Sequence, residues 1–358
     1  MSKERKKVIV LSTSCKTRGG ITAVVNAHKS QDFWGKWNCV WIETHIDKTI
    51  WHKLFYAIKS LFIYLYNLPL ASLVHVHLSA PNSVKRKYIF LLLAKLFRKP
   101  VIIHFHAFSS TSSVDDRFKN LYKKVFSFAD LIIVLSRSWK LGLINELNVQ
   151  NHKIKVLYNP CPAIDLNMEV EKSFIILYAG VLDERKNFKA LIKSFSLIAE
   201  KYPEWRLVFA GNGAIDEAKK LANELDVSSQ VEFKGWIIDK EKHKLFSEAS
   251  IFCLPSFAEG FPMAVLDAWA YHLPVITTSV GGIPDIAIDG ENMLLFKPDD
   301  IHALANKLEK LLVDEELRCR LSRKSKELSE GIFSVVNITR DLDVTYSKLI
   351  NDFSYDNV

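Results

Sequence analysis

At 358 residues, with 49% hydrophobic and 25% charged residues, the chain has the composition of a globular protein and room for two domains of roughly 150 residues each. That composition excludes a fibrous or disordered chain. The five scattered cysteines (Cys15, Cys39, Cys161, Cys253 and Cys319), with no CxxC pair, exclude a disulfide framework and fit a reducing compartment. The net charge of +8 conceals an asymmetry: residues 1–165 hold 25 Lys+Arg against 9 Asp+Glu, and the remainder holds 23 against 31. Two domains with different partners are therefore expected, the basic one suited to phosphate-bearing substrates, nucleic acid or anionic lipid.

The basic start, MSKERKK, resembles the opening of a signal peptide, but the apolar run Val8–Leu11 is too short and Ser12, Thr13 and Ser14 follow at once. It reads as a first buried strand behind a solvated tail. Further short apolar runs, Cys39–Ile42, Leu73–Leu78, Val101–Phe105, Leu131–Leu135 and Ile154–Leu157, alternate with stretches of helical spacing, the pattern of a parallel sheet covered on both faces. Trp51–Leu70, rich in aromatics and leucine, carries Lys53 and Lys59 and ends near Pro69, which argues against a membrane span. It reads as a helix covering the sheet, with an interfacial helix as the alternative. A later helix mixes Lys85, Arg86 and Lys87 with an apolar run from Tyr88 to Leu93.

The pattern breaks near Asn159–Ala163, where two prolines disfavour helix, and the polar Asp165–Ser173 reads as a linker. It then restarts. Phe174–Ala179, Arg206–Ala210, Val231–Lys234, Ile251–Leu254 and Val275–Thr278 are predicted strands, with helices over Lys186–Glu200, Ala214–Leu225, Lys240–Ala249 and Pro262–Tyr271 between them. After Pro298 the chain is predicted helical to its end, with helices over Asp300–Leu312, Glu315–Ser329 and Val335–Phe353. The predicted domains are 1–165 and 166–334, the last helix (335–358) packing back on the first.

Ligands of open parallel sheets bind beyond the carboxyl ends of the strands. Thr17–Gly20 follows the first strand and precedes a helix, where two glycines let backbone approach a ligand and helix N–H groups favour anions. No GxGxxG is present. After Gly180, Arg185 and Lys186 could hold a diphosphate, and the turn Gly211–Gly213, with Asn212, could lie against a nucleotide. In the run Ser256–Ala270, Glu259 precedes a helix opened by Pro262, and Asp267 lies within it. Two such carboxylates could serve points roughly 7–12 Å apart, the span from sugar to ribose in one nucleotide-sugar, with the N–H groups of the Phe261–Met263 segment facing the diphosphate between them. His104 and His106 share one face of their strand, but no acid accompanies them and no metal is expected.

The run S-x-x-E-G-F-P-x-x-x-L-D-A-W-A-x-x-x-P-V-I-x-x-x-x-G-G-I-P-D, from Ser256 to Asp285, resembles the donor-site signature of the retaining glycosyltransferases of family 4. The resemblance implies the GT-B fold, α/β with two Rossmann-like doubly wound parallel-sheet domains facing across a cleft. It implies a retaining transfer of a sugar, hexosyl or N-acetylhexosaminyl, from a nucleotide-diphosphate sugar, with UDP-sugars favoured. The acceptor would be a glycan or a polyprenyl-diphosphate-linked glycan of surface polysaccharide or lipopolysaccharide synthesis. Glu259, His106 and Lys186 would be catalytic. Gly19, Gly20, Arg185, Asn212, Gly260, Phe261, Pro262, Met263 and Asp267 would join Lys186 in binding the donor. No metal or other cofactor is expected, nor a nucleic-acid partner. The expected location is cytoplasmic, peripheral on an anionic inner membrane face. The second acid of the family pattern is usually glutamate, here Asp267, and its phosphate-loop arginine is here Val181, with Arg185 as the substitute. An epimerase of the same fold and a non-enzymatic nucleotide-binding module are the rival readings.

Overall fold

The computed structural model describes residues 6–107, 116–165 and 171–355. The chain divides into two compact units, residues 1–160 with 335–358, and residues 161–334. The first begins β1 (Val8–Ser12), α1 (Gly20–Lys29), α2 (Asp32–Lys36), β2 (Val40–Glu43), α3 (Ile50–Asn67), β3 (Leu73–Leu78) and α4 (Pro81–Leu96). It continues through β4 (Val101–Phe105), α5 (Asp116–Phe126), β5 (Leu131–Val134), α6 (Arg137–Leu147) and β6 (Ile154–Val156). All six strands are parallel, in the order β2-β1-β3-β4-β5-β6. The strand order reverses at β1 and β3, which is where a ligand crevice forms in such sheets.

The second unit runs β7 (Ile175–Ala179), α7 (Phe188–Ser196), β8 (Arg206–Ala210), α8 (Ile215–Glu224), β9 (Val231–Gly235), α9 (Asp239–Glu248) and β10 (Ile251–Leu254). There follow α10 (Met263–Ala270), β11 (Val275–Thr278), β12 (Leu294–Phe296), α11 (Ile301–Val313) and α12 (Glu315–Glu330). Its six parallel strands lie in the order β12-β11-β10-β7-β8-β9, so the reversal falls between β7 and β10. The last helix, α13 (Val335–Tyr355), returns to the first unit, where Ile338, Leu342 and Tyr346 join the core formed by Val8, Val10, Val25 and Ile102.

Three sequence expectations need correction. The unit boundary falls between Pro160 and Cys161 rather than at 165, because Cys161 pairs with Phe333 and Ser334 at the other end of the second unit. Part of the predicted linker, 166–170, lies outside the described residues. The helix predicted over Lys186–Glu200 begins only at Phe188: Asn187 takes a left-handed conformation (φ 53°), leaving Glu184–Lys186 as a separate 3₁₀ turn. β12 was not foreseen. Three residues are too few to show a period.

α3 turns unexpected residues inward. Its buried positions are Ser60, Tyr64 and Asn67, whereas Trp51 (76% exposed), Phe55, Phe62 (69%) and Tyr66 face outward. It is thus a poor cover for the sheet. Leu70, and Ile89, Leu92, Leu96 and Phe97 in and just after α4, are exposed as well. Among the described residues no helix is long and apolar enough to cross a membrane.

Candidate functional site

In the second unit the two loops that flank the strand-order reversal carry the charges. The 3₁₀ turn after β7 opens with Asp183, whose carboxylate accepts from the Lys186 N–H at 2.8 Å and so fixes the turn that presents Arg185 and Lys186. Across the reversal, the loop after β10 carries Glu259. Lys186 Nζ donates to Glu259 Oε1 at 2.5 Å, and both side chains are largely buried (12% and 8% exposed). Ser256 Oγ donates to the same oxygen at 2.7 Å. Arg185 donates to the Ala258 carbonyl at 3.0 Å and approaches Glu259 Oε2 at 3.4 Å. A carboxylate has about four acceptor positions, so Glu259 keeps capacity for a ligand's hydroxyls.

Glycines hold these loops by close backbone contact. A Cβ on Gly281 (φ 62°) would sit 2.4 Å from the Glu259 carbonyl oxygen, and Gly282 N–H donates to the Gly260 carbonyl at 2.7 Å. The Gly281–Gly282 pair is therefore a clamp on the loop that carries Glu259. Likewise a Cβ on Gly211 would fall 1.7 Å from the Gly180 carbonyl oxygen, so the ends of β7 and β8 lie backbone to backbone. Asn212 is exposed, and its carbonyl accepts from Leu182 N–H at 2.7 Å.

Pro262 caps α10 and Met263 is its first residue. The expectation for the N–H groups of this segment needs refining. Pro262 has none, and the Phe261 ring is buried against Phe333 and Gly282 rather than turned to a ligand. Among the described residues the turn's first amides without a partner belong to Met263 and Ala264, while Val265 N–H donates back to the Pro262 carbonyl. Asp267 follows inside α10, and Lys242 of α9 donates to it at 2.8 Å. Burial raises the Asp267 pKa, and Lys242 opposes that rise. The two acids thus have separate cationic partners: Lys186 and Arg185 for Glu259, Lys242 for Asp267.

In the first unit, Gly19 and Gly20 open α1 in the loop after β1. Both are exposed, and a Cβ on Gly19 would meet nothing within 4 Å among the described residues. No acidic residue occupies the first turn of α1, which leaves its N–H end electropositive. His106 lies just past β4, half-buried, with Nε2 2.8 Å from His77 Nδ1. Burial, with Lys87 and His28 nearby, pushes its pKa down to about 3. It is therefore a neutral imidazole at physiological pH, a hydrogen-bonding group rather than a cationic acid.

The comparisons with known proteins fall on this architecture. The "Glycosyl transferases group 1" family matches residues 166–328, and the "Glycosyltransferase Family 4" family matches residues 40–163. An uncharacterized glycosyltransferase of Haemophilus influenzae is 30% identical over 251 residues, 69% of this chain and 70% of that protein. This chain is a glycosyltransferase of the GT-B class and the family 4 type.

A second relative of this glycosyltransferase is a Campylobacter jejuni α-1,4-N-acetyl-D-galactosaminyltransferase whose name specifies a diphospho-undecaprenol-linked substrate. It is 27% identical over 335 residues, 90% of this chain and 89% of that one. Anabaena HepE, crystallised with UDP, shares the fold at a TM-score of 0.76 and 17% identity, covering 96% of this chain and 100% of that one. Sucrose-phosphate synthase of Thermosynechococcus elongatus gives 0.77 at 18% identity, covering 97% and 100%. Sequence reasoning missed the roles of Ser256 and Lys242. Ser256 stands at the head of the quoted signature, three residues before the acid it holds. Lys242 carried no signal, because its pairing with Asp267 depends on how α9 packs beside α10.

Proposed function

We propose that this glycosyltransferase moves a sugar, with retention, from a UDP-sugar to a polyprenyl-diphosphate-linked glycan at an anionic membrane surface. The observation that carries the reading is the Lys186–Glu259 pair spanning the reversal between β7 and β10. One side of the pair suits sugar hydroxyls and the other suits a diphosphate. As the bond from the anomeric carbon to the diphosphate breaks, negative charge grows on the leaving oxygens. Lys186, Arg185 and the N–H groups of Met263 and Ala264 are the donors available to it. Glu259, held between two cations, would hold the sugar hydroxyls. No carboxylate nucleophile is assigned, so the acceptor hydroxyl would attack from the face the diphosphate leaves. Transfer would need no metal, since lysine, arginine and helix-end amides supply the countercharge.

The class of donor and acceptor rests on the relatives: UDP is the ligand named for HepE, and the Campylobacter enzyme's name specifies a lipid-linked diphosphate. The outward aromatic face of α3, with Lys53 and Lys59 on the same helix, supports the membrane, because aromatic rings and lysines together favour an anionic interface. Two measurements test the reading. Incubation of UDP-sugars with an undecaprenyl-diphosphate glycan should give an α-linked product only in the wild type, with Glu259→Ala nearly inactive. Conversion of the donor alone would point to an epimerase instead. Sedimentation with anionic vesicles should fall at least tenfold in a Trp51→Ser, Phe55→Ser, Phe62→Ser triple variant. Binding independent of anionic lipid would remove the membrane part.

A further inference from the structure

β3 carries the pattern His75-Val-His77, and the pattern His104-Phe-His106 begins in β4 and ends one residue past it. The strands run parallel with His77 paired to His104, and side chains two apart share a face, so all four imidazoles gather on one side of the sheet. Toward the amino ends of the strands the same face is apolar, with Val8, Val10, Leu73 and Ile102 in the core. Toward the carboxyl ends it becomes imidazole. The rings stack, with centroids 4.6 Å apart for His75 and His77 and 4.9 Å for His77 and His104.

His75, His77 and His104 are each at most 1% exposed. His75 Nδ1 meets Tyr346 Oη at 2.5 Å, and His77 Nδ1 meets His106 Nε2 at 2.8 Å. Their Nε2 atoms, and both nitrogens of His104, are buried with no hydrogen-bond partner among the described residues. A buried polar atom left without a partner destabilises a fold, so four together need a reason. Nitrogen atoms of the three residues lie within 4.8 Å of one another.

We propose that His75, His77 and His104 form a binding site for a divalent transition ion of the zinc class, held inside the first unit and separate from sugar transfer. The donor set is right for such an ion: three neutral imidazoles with free lone pairs. The outer contacts are those that ligating histidines use. For Nε2 to bind an ion, Nδ1 must carry the proton and donate it, to the Tyr346 oxygen from His75 and to His106 Nε2 from His77. Water would complete a tetrahedron. Zinc would draw the nitrogens to about 3.3 Å apart. The stacked rings must therefore turn about their soft χ2 torsions as the ion enters. Half-buried His106 marks the way in. In the sequence His104 and His106 share a face with no acid beside them. The missing ligands are histidines from the neighbouring strand.

The test uses the full chain without a polyhistidine tag, stripped with chelator and titrated with Co(II). The expected result is one ion per chain with the ligand-field absorption of a four-coordinate site. His104→Leu should weaken it by at least about 100-fold, and Tyr346→Phe by about 10-fold. X-ray absorption on the zinc-loaded wild type counts the imidazoles without relying on a variant, and three are expected. Thermal melts supply another readout: zinc should raise the Tm of the wild type and leave that of His104→Leu unmoved. Failure to bind stoichiometrically at micromolar Co(II), fewer than three imidazoles, or undiminished binding by His104→Leu overturns the site. Sugar transfer by the stripped enzyme is expected to be unchanged, so the outcome stands apart from the proposed function.

Discussion

At the carboxyl edge of the second sheet a largely buried lysine, Lys186, meets a largely buried glutamate at 2.5 Å. At the corresponding edge of the first sheet Lys87 is fully buried, yet its Nζ donates to a carbonyl, His77 O at 2.5 Å, and to Ser83 Oγ at 3.3 Å. No carboxylate among the described residues reaches it. One edge tolerates buried charge by pairing it; the other tolerates bases by removing their charge. Burial and nearby Arg86 lower the Lys87 pKa to about 7, and burial holds His75, His77 and His104 well below the ordinary histidine value. The paired edge is suited to a ligand with hydroxyl donors for the acid and anionic oxygens for the lysine. The neutralised edge is built of lone pairs.

The contrast is broken most severely by removing the paired lysine. Lys186→Met leaves Glu259 with the weaker Arg185 contact and removes a countercharge from the leaving diphosphate, so kcat should fall about 100- to 1,000-fold. A fall in donor affinity alone, with kcat kept, would show Lys186 to be a ground-state contact. Next in size come the glycines. Gly281→Ala places a methyl 2.3–2.4 Å from the carbonyl oxygens of Gly260 and Glu259, which should cost about 2–3 kcal/mol in chemical denaturation and displace the Glu259 loop. Gly19→Ala meets no atom of the described residues within 4 Å and bears its backbone strain (φ 148°), so about 1 kcal/mol is expected. Equal costs would mean the two glycine loops do the same work.

Lys87→Met probes the neutralised edge. The folded pKa of about 7 lies below the ordinary lysine value of 10.5, so between those values the unfolded chain binds more protons and wild-type stability rises with pH. The penalty is complete below pH 7 and gone above about 10.5. The methionine variant lacks it, so it should melt above the wild type at pH 6–7 by about 1–2 kcal/mol, after allowing for the lost hydrogen bonds. The gap should close within about two pH units above 7 and reverse by pH 10, where the penalty is nearly gone and the lost hydrogen bonds remain. A gap that does not change with pH would mean that Lys87 is not held neutral by burial.

How far the sequence spoke depends on whether the residue concerned was fixed by local backbone or by packing between elements. The Ser256–Asp285 run was legible because its glycines and prolines satisfy backbone demands at their own positions: Pro262 as a cap, Gly281 at positive φ. Both sheets were legible as strings of apolar runs. The outward face of α3 was not, because a helix apolar nearly all round does not announce which side is covered. The histidine cluster was half legible. Each His-x-His shows its own face, but only the β3–β4 register reveals that the two faces coincide.

The smallest effect concerns Asp267, where the second sheet departs from its own rule. Asp267 is paired, like Glu259, yet burial raises its pKa despite Lys242. The Lys242 side chain is 34% exposed, so solvent screens much of the attraction. A carboxyl with a raised folded pKa binds protons that the unfolded chain has released. Its contribution is therefore lost as the pH rises from the unfolded value of 3.8 through the folded one. Lys242→Met should raise that pKa further, seen as a shifted carboxyl resonance in an NMR titration, and cost about 1 kcal/mol at neutral pH. In Asp267→Asn the same lysine change should cost almost nothing, since the charge it served is gone. If Asp267 grips the donor ribose, Lys242→Met should also weaken UDP binding a few-fold in the wild type and not in Asp267→Asn. Equal weakening in both backgrounds would place Lys242 on the nucleotide directly and leave Asp267 a structural acid.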